Sequence, residues 1–403
     1  MAKVFDIYLA KADQPDSAAC AELSLPATPY EMQDAFDKLR LAEGESPYWE
    51  ITEYRQFEEL SSVLNDTCGP RELNTLAQKL SELDERQCTA FAGLLAIEQR
   101  KNQPIPISRL IDIAHSTDCC HVVDTALNDS QLGRFCAENG FLPELDNLPD
   151  SVFEQLDFER IGREHRLREG GVFAARSADH PGGYVEQHDA LTEVYKTLDL
   201  TPKNPDYTLL LEVSKGFFND PGYDSDKTVQ LKLPASPEAL SSALDAVEAW
   251  DWREVGWSCL DCRVPVLTEM ISDTEEGIGF LNSLSQRLAD MEPKTLTEYK
   301  ALLEATNCRD LLSASLLADS LDKYIFSPQY SSPIEVAKGE LSTILCDREA
   351  EIITPHVNLH QYGQALIRSY NGVLTAYGLI ERVDGQPIQG MEESPTQGGM
   401  EMK

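Results

Sequence analysis

The chain has 403 residues, with 69 Asp and Glu against 34 Lys and Arg, a formal net charge of −35 and 42 % hydrophobic residues. That length suffices for two or three domains, each burying its own core, and the hydrophobic share argues against wholesale disorder. The charge excludes ordinary nucleic-acid binding, which needs Lys and Arg to neutralise phosphate, and it disfavours anionic membrane surfaces.

Acidity is spread evenly: residues 1–200 hold 37 acidic and 18 basic side chains, and the remainder 32 and 16. An acidic surface keeps a protein soluble, and it also suits a basic partner. No apolar run approaches the roughly 18–20 residues that span a bilayer. The opening MAKVFDIYLAKADQ has neither the apolar stretch nor the cleavage site of a secretory signal. Ten cysteines at irregular spacings read as reduced thiols in such a chain. The expectation is a cytoplasmic protein without membrane contact.

In chain order, a strand over 4–10 meets a loop rich in Asp and Pro, and a second strand covers 19–25. Thr28-Pro29-Tyr30-Glu31 then reads as a capping box with proline at the first helical position. A third strand is expected over 49–54. Leu73, Leu76, Leu80 and Leu83 keep a 3-4-3 spacing that places them on one helix face, with Glu72, Glu82, Asp84 and Glu85 off it. Further helices are expected around 88–98 and 107–116, and another over 151–168, running into a Gly-Gly turn and a strand at 172–175.

The same order then recurs. LSLPATPYE (Leu23–Glu31) returns as LKLPASPEA (Leu231–Ala239), 208 residues later. At that offset ELNTLAQKLSELDERQCTAFAGLL meets FLNSLSQRLADMEPKTLTEYKALL, and at 201 FERIGREHRLREGGVF meets LHQYGQALIRSYNGVL. Strands over 207–214, 228–233 and 257–262, with Ser236-Pro237 as a second helix cap, complete the parallel. The chain divides into a first module at 1–185, a linker at 186–205, a second module at 206–384 and a disordered tail at 385–403 whose turn-rich composition cannot build a core. The period is too long for a solenoid.

Catalytic chemistry is hard to find. Cys259-Leu-Asp-Cys262 is a lone CxxC whose counterparts, Ile51 and Tyr54, are ordinary strand residues. Cys119-Cys120-His121 corresponds to Lys323-Tyr324-Ile325, and His356 and His360 have Val357 where a metalloprotease would place Glu. Asp220–Asp226 lacks the glycine and terminal glutamate of a calcium loop. Arg160, Arg163, Arg166 and Arg168 alternate with Glu159, Glu164 and Glu169, as in a helix with internal ion pairs. No phosphate loop, dinucleotide fingerprint or nucleophile elbow occurs. The reading is a protein that is not an enzyme and has no cofactor or metal.

The strand pair with LSLPAT and its capped helix, the acidic Leu-rich bundle and FERIGREHRLREGGVF together resemble the antirestriction protein ArdA family, once per module. The second copy keeps Tyr362-Gly363 and the Gly372–Ile380 ending, with Gln364 and Asn371 in place of the usual Arg and Gly. The resemblance implies an elongated α+β protein, each module a small α/β unit, an acidic helical bundle and a mixed C-terminal unit. It also implies a function: surface carboxylates imitate DNA phosphates and occupy the DNA groove of a type I restriction–modification methyltransferase core. Alternative readings are an anti-CRISPR protein blocking a CRISPR effector, or a non-inhibitory acidic scaffold or chaperone for basic proteins. Family members act as homodimers, so a homodimer of this two-module chain is left open. The residues expected to form the array are Glu72, Glu82, Asp84 and Glu85 in the first copy, and Glu276, Asp290, Glu292 and Glu304 in the second.

Overall fold

Strand β1 (Phe5–Lys11) buries Phe5, Ile7 and Leu9 on one face, the period-2 pattern of a half-buried strand. It lies between β2 (Cys20–Leu25) and β3 (Pro47–Glu53). Helix α1 (Pro29–Leu39) joins the last two, and the expected capping box is present: Glu31 N donates to Thr28 Oγ1 (3.2 Å) and Thr28 N to Glu31 Oε2 (2.9 Å). The computed structural model describes residues 2–12, 18–41, 45–64, 68–101, 103–142, 149–174, 182–201, 204–216 and 227–390. Asp13–Asp16, Asp220–Asp226 and most of the predicted tail, from 391 on, lie outside the described residues.

Next come α2 (Pro70–Ser81), α3 (Glu85–Gln99), α4 (Ile107–Ala114), β4 (Cys120–Val123), α5 (Asp129–Glu138), α6 (Asp150–Phe153), α7 (Phe158–Glu169), β5 (Val172–Ala174) and β6 (Gly183–Gln187). The helix expected over 151–168 is therefore two. Asp157 interrupts it, its carboxylate accepting Arg160 N (3.0 Å) as the N-cap of α7. Residues 186 and 187, read as linker, complete β6.

The second half repeats the series: β7 (Leu209–Lys215), β8 (Val229–Leu233), α8 (Pro237–Ala246), β9 (Val255–Cys262), α9 (Thr268–Ser272), α10 (Ile278–Asp290), α11 (Pro293–Ala305), α12 (Leu311–Ala318), β10 (Tyr324–Ser327), α13 (Pro333–Ile344), α14 (Asp347–Ile353), α15 (Leu359–Ser369), β11 (Val373–Thr375) and β12 (Gly378–Arg382). A short 3-10 turn (Glu58–Ser62) stands in the first copy where α9 stands in the second. Sheet orders match too: β2-β1-β3 with β8-β7-β9, and β4-β6-β5 with β10-β12-β11. The fold is α+β.

Local geometry is duplicated as well. Leu25-Pro26 and Leu233-Pro234 are both cis, and Arg40 and Glu248 both take positive φ after the corresponding helices. Gly170 (φ 72°) and Asn371 (φ 53°) hold the left-handed position after α7 and α15, where only glycine or a short polar side chain is comfortable. Gly162 packs α7 onto α5 so closely that a Cβ there would lie 1.9 Å from Asp129 O, and Gly363 does the same between α15 and α13, 1.7 Å from Pro333 O.

By contacts the chain forms two units: one of Met1–Ile7, Ser24–Pro26 and Trp49–Pro202, the other of Tyr8–Leu23, Ala27–Tyr48 and Lys203–Lys403. In the first, Val122, Val172 and Val185 of the β4-β6-β5 sheet pack on Ala90 and Ala92 of α3. In the second, Leu211, Leu281, Leu284, Tyr299 and Leu302 belong to one continuous core. Helix α1 belongs to this second unit and packs against β9.

Candidate partner-binding surface

The turn from α2 to α3 carries exposed Glu82, Asp84 and Glu85 in close succession. Glu82 lies 3.3 Å from Lys79 and keeps 61 % of its side chain in solvent. Asp84 caps α3, accepting Gln87 N at 2.8 Å, and Glu85 occupies the first turn, where the helix dipole favours an anion. The turn from α10 to α11 repeats this corner: Asp290 and Glu292, both exposed, stand 208 residues after Glu82 and Asp84. Asp290 accepts Gln286 Nε2 (3.0 Å), and Glu292 occupies the cap position of α11 without a side-chain cap bond.

Glu276 and Glu304 come together elsewhere. Both line a cleft of about 1070 Å³ in the second unit, among α9, α11 and α12. Glu269, Asp273, Glu275 and Asp310 join them, Arg309 and the paired Asp34, Lys38 and Lys300 also line it, and Val266, Met270, Leu303 and Leu312 supply apolar wall. One oxygen of Glu304 accepts Ala376 N (2.9 Å). Asp310 caps α12 through Ser313 N (2.8 Å). The sequence shows the acids of this cleft as the run Asp273-Thr-Glu-Glu276, whereas its apolar wall follows only from the fold.

Glu72 stands apart from both groups. One oxygen accepts Gly69 N (2.8 Å) at the start of α2, and the other accepts the Tyr195 hydroxyl (2.5 Å). Its carboxylate is half-buried and holds the segment after β6 in place. That segment also donates Tyr195 N to Asp112 Oδ1 (2.8 Å) and Thr192 N to Ser116 Oγ (2.9 Å).

Several acids are turned inward. In the second unit Lys300, 2 % exposed, places its ammonium 2.8 Å from Asp34 and 2.9 Å from Asp37. Asp34 also meets Lys38 (2.9 Å) and accepts the Tyr377 hydroxyl (2.9 Å). Burial alone would raise the Asp34 carboxyl, but Lys300 and Lys38 outweigh it and hold it below the ordinary carboxylate range. Burial would likewise discharge Lys300, yet Asp34 and Asp37 keep it above its usual range. Asp261, also buried, accepts Thr28 Oγ1 (2.6 Å) and the Tyr207 hydroxyl (2.9 Å). The charges at Asp34 and Asp37 are therefore paired within their unit and hold α1 in place.

Among the described residues, the first unit buries a titratable cluster around His165. His165 Nε2 lies 2.9 Å from Glu186, which also accepts the Tyr184 hydroxyl (2.8 Å). The Cys136 thiol beside it, then Glu186, push the imidazole up to about 9. Arg168 Nη2 lies 3.2 Å from the other ring nitrogen; it opposes that charge weakly because it is paired with Glu169 and 60 % exposed.

The other marked motifs have structural places. All ten cysteines are free thiols. Burial pushes Cys259 up to about 12 and Cys262 well above its ordinary value, the reverse of what a reactive thiol or thiolate ligand needs. Arg160 pairs with Glu164 and Arg163 with Glu159, as helix spacing suggests, but Arg166 reaches out of its helix to Asp129 (2.8 Å). Among the described residues, no group of three or more His, Cys, Asp or Glu is placed to hold a metal ion, and no helix is long and apolar enough to cross a membrane. The sequence matches no protein-family model, and no curated protein matches it significantly.

Proposed function

We propose that this chain is an acidic DNA mimic that occupies the DNA-binding groove of a host defence enzyme in the cytoplasm, the type I restriction–modification methyltransferase core being the first target to test. The observation that carries this reading is the duplicated acidic corner, Glu82–Asp84 and Asp290–Glu292, exposed at equivalent helix junctions of a repeated fold. A net charge of −35 equals about 60 Å of duplex at one charge per about 1.7 Å. Carboxylates fixed at helix ends lose little freedom on docking, an advantage over a flexible acidic tail. The same physics would let the chain block a CRISPR effector, and the resemblance to the ArdA family puts restriction enzymes first.

The test is gel filtration of the purified chain with a methyltransferase core at about 0.05 and 0.2 M salt, with fluorescent duplex as competitor. The expected result is a salt-sensitive complex that excludes the duplex. A chain that co-elutes with the core without displacing duplex supports the scaffold reading. No complex at the lower salt removes restriction enzymes as the target.

A further inference from the structure

Helix α12 is apolar on two sides. Leu311, Ala314 and Leu317 enter the core, whereas Leu312 and Leu316, one turn apart on the outer stripe, are 52 % and 66 % exposed. In the first unit the equivalent helix, α4, has Ser108 and Asp112 at those places, and the segment after β6 crosses it, anchored by Thr192 and Tyr195. The chain after β12 sets out the same way: Val383 N donates to Lys323 O (2.9 Å) as His188 N does to Cys119 O (3.0 Å). Two of the three anchoring side chains are then replaced, Ser320 keeping the place of Ser116 and Ile388 still packing against the core. Leu316 stands where Asp112 would hold the crossing chain, and Phe280 where Glu72 would.

The outer stripe opens onto the acidic cleft, since Leu312 lines it together with Val266, itself 53 % exposed. Around this apolar wall stand Glu269, Asp273, Glu275 and Glu276; the cations on the lining are Arg309 and the Lys38 and Lys300 ammoniums, the latter two already paired with Asp34. We propose that the cleft and the outer stripe of α12 form a docking groove for a basic amphipathic helix of a partner protein. Its apolar face would cover Leu312 and Leu316, and its Lys or Arg side chains would meet the acidic rim. Charge selects this occupant. Residues 391–403 carry three Glu and one Lys, and a second copy carries −35, so the rim repels both. The groove is separate from the α2–α3 and α10–α11 corners, and its apolar half has no role in imitating a phosphate backbone.

The experiment uses the full chain and a fluorescein-labelled peptide of Leu and Lys at helical spacing, about five turns long. A scrambled peptide of equal composition and charge is the control. Anisotropy is expected to show saturable one-to-one binding that survives about 0.5 M salt, where exposed charge pairing is screened, while the scrambled peptide is released. L312S/L316S, which alters only exposed side chains, is expected to weaken binding about tenfold or more, with an unchanged melting curve. Equal binding of the two peptides, or no loss in the double variant, overturns the proposal. Competition by a synthetic peptide of residues 391–403 would assign the groove to the chain's own end. A dimer in sedimentation that dissociates on L312S/L316S would assign it to a second copy. Either result also overturns the proposal, and neither depends on whether the acidic corners displace DNA.

Discussion

Replacing Lys300 with Met removes the ammonium that bridges Asp34 and Asp37 while keeping most of the side-chain volume. Lys300 is 2 % and Asp34 9 % exposed, so water cannot take over the lost contact. Taking one partner from a buried ion pair costs about 3–5 kcal/mol. The lower end applies here because Asp34 retains Lys38 (2.9 Å) and the Tyr377 hydroxyl (2.9 Å). The expected loss is about 3 kcal/mol in the second unit, or roughly 6–12 °C in Tm for a domain of this size. Three of the four tryptophans, Trp250, Trp252 and Trp257, lie in that unit, so urea unfolding followed by indole fluorescence reports on it. Because Asp34 titrates below its ordinary value in the fold, its share is present above about pH 4 and fades as pH falls through the folded pKa. The gap between wild type and variant should therefore narrow in acid. The double variant D34N/K300M should recover part of the loss, since it also removes the buried carboxylate and leaves only the partly exposed Asp37 and Lys38 without their partners. A K300M chain within about 1 kcal/mol of wild type at neutral pH would refute the reasoning, because a cost that small belongs to a solvated pair.

Gly162→Ala should destabilise the first unit by at least about 2 kcal/mol, because the new methyl would sit 1.9 Å from Asp129 O. Gly363→Ala should do the same in the second unit, and chemical denaturation checks both. The imidazole of His165 is raised to about 9 in the fold, so its stabilisation is full below about pH 6.5 and lost as pH rises through about 9. Urea midpoints from pH 6 to 10 should fall in wild type relative to His165→Gln, and parallel curves would contradict this. The fourfold change E82Q/D84N/D290N/E292Q keeps a cap-competent side chain at position 84, the one of the four that makes a cap bond, and should shift stability by less than about 1 kcal/mol. It should also flatten the salt dependence of binding to a methyltransferase core; an unchanged slope would place the contact elsewhere.

How legible was this fold in the sequence? The duplication was legible because caps and leucine spacing are local: Thr28 and Ser236 accept the bonds their positions suggest, and Leu73, Leu76 and Leu80 are buried together. The break at Asp157 was harder, because the stretch keeps helical composition on both sides and only the cap geometry ends it. Asp34 and Asp37 look like the solvated face of an amphipathic helix. They are engaged because Lys300 and Tyr377, remote in sequence, meet them, and no local period encodes such a contact. In the acidic array the corner residues followed from position, since a helix junction exposes its polar side chains. Glu72 did not, because its engagement depends on Tyr195, 123 residues away. The outer leucines of α12 were hidden for the opposite reason: in LLSASLLA every leucine reads as core, and only packing separates inner from outer.

The membership of α1 in the second unit bears on how the chain folds during synthesis. Helix α1 leaves the ribosome early with Met32, Ala35 and Leu39 of its apolar face made, yet Tyr377, whose hydroxyl donates to Asp34, follows 343 residues later. At about 5–20 residues per second, the helix waits roughly 17–70 s for its final neighbours. Over that interval most of the first unit, from Trp49 to Pro202, is complete and can fold around its own sheet. The second unit closes last, from both ends of the chain at once, so a nascent chain stalled before β9, at about residue 255, would carry a finished first unit and an unclaimed helix. Limited proteolysis of such stalled chains would cut near α1 and spare α2 to α7.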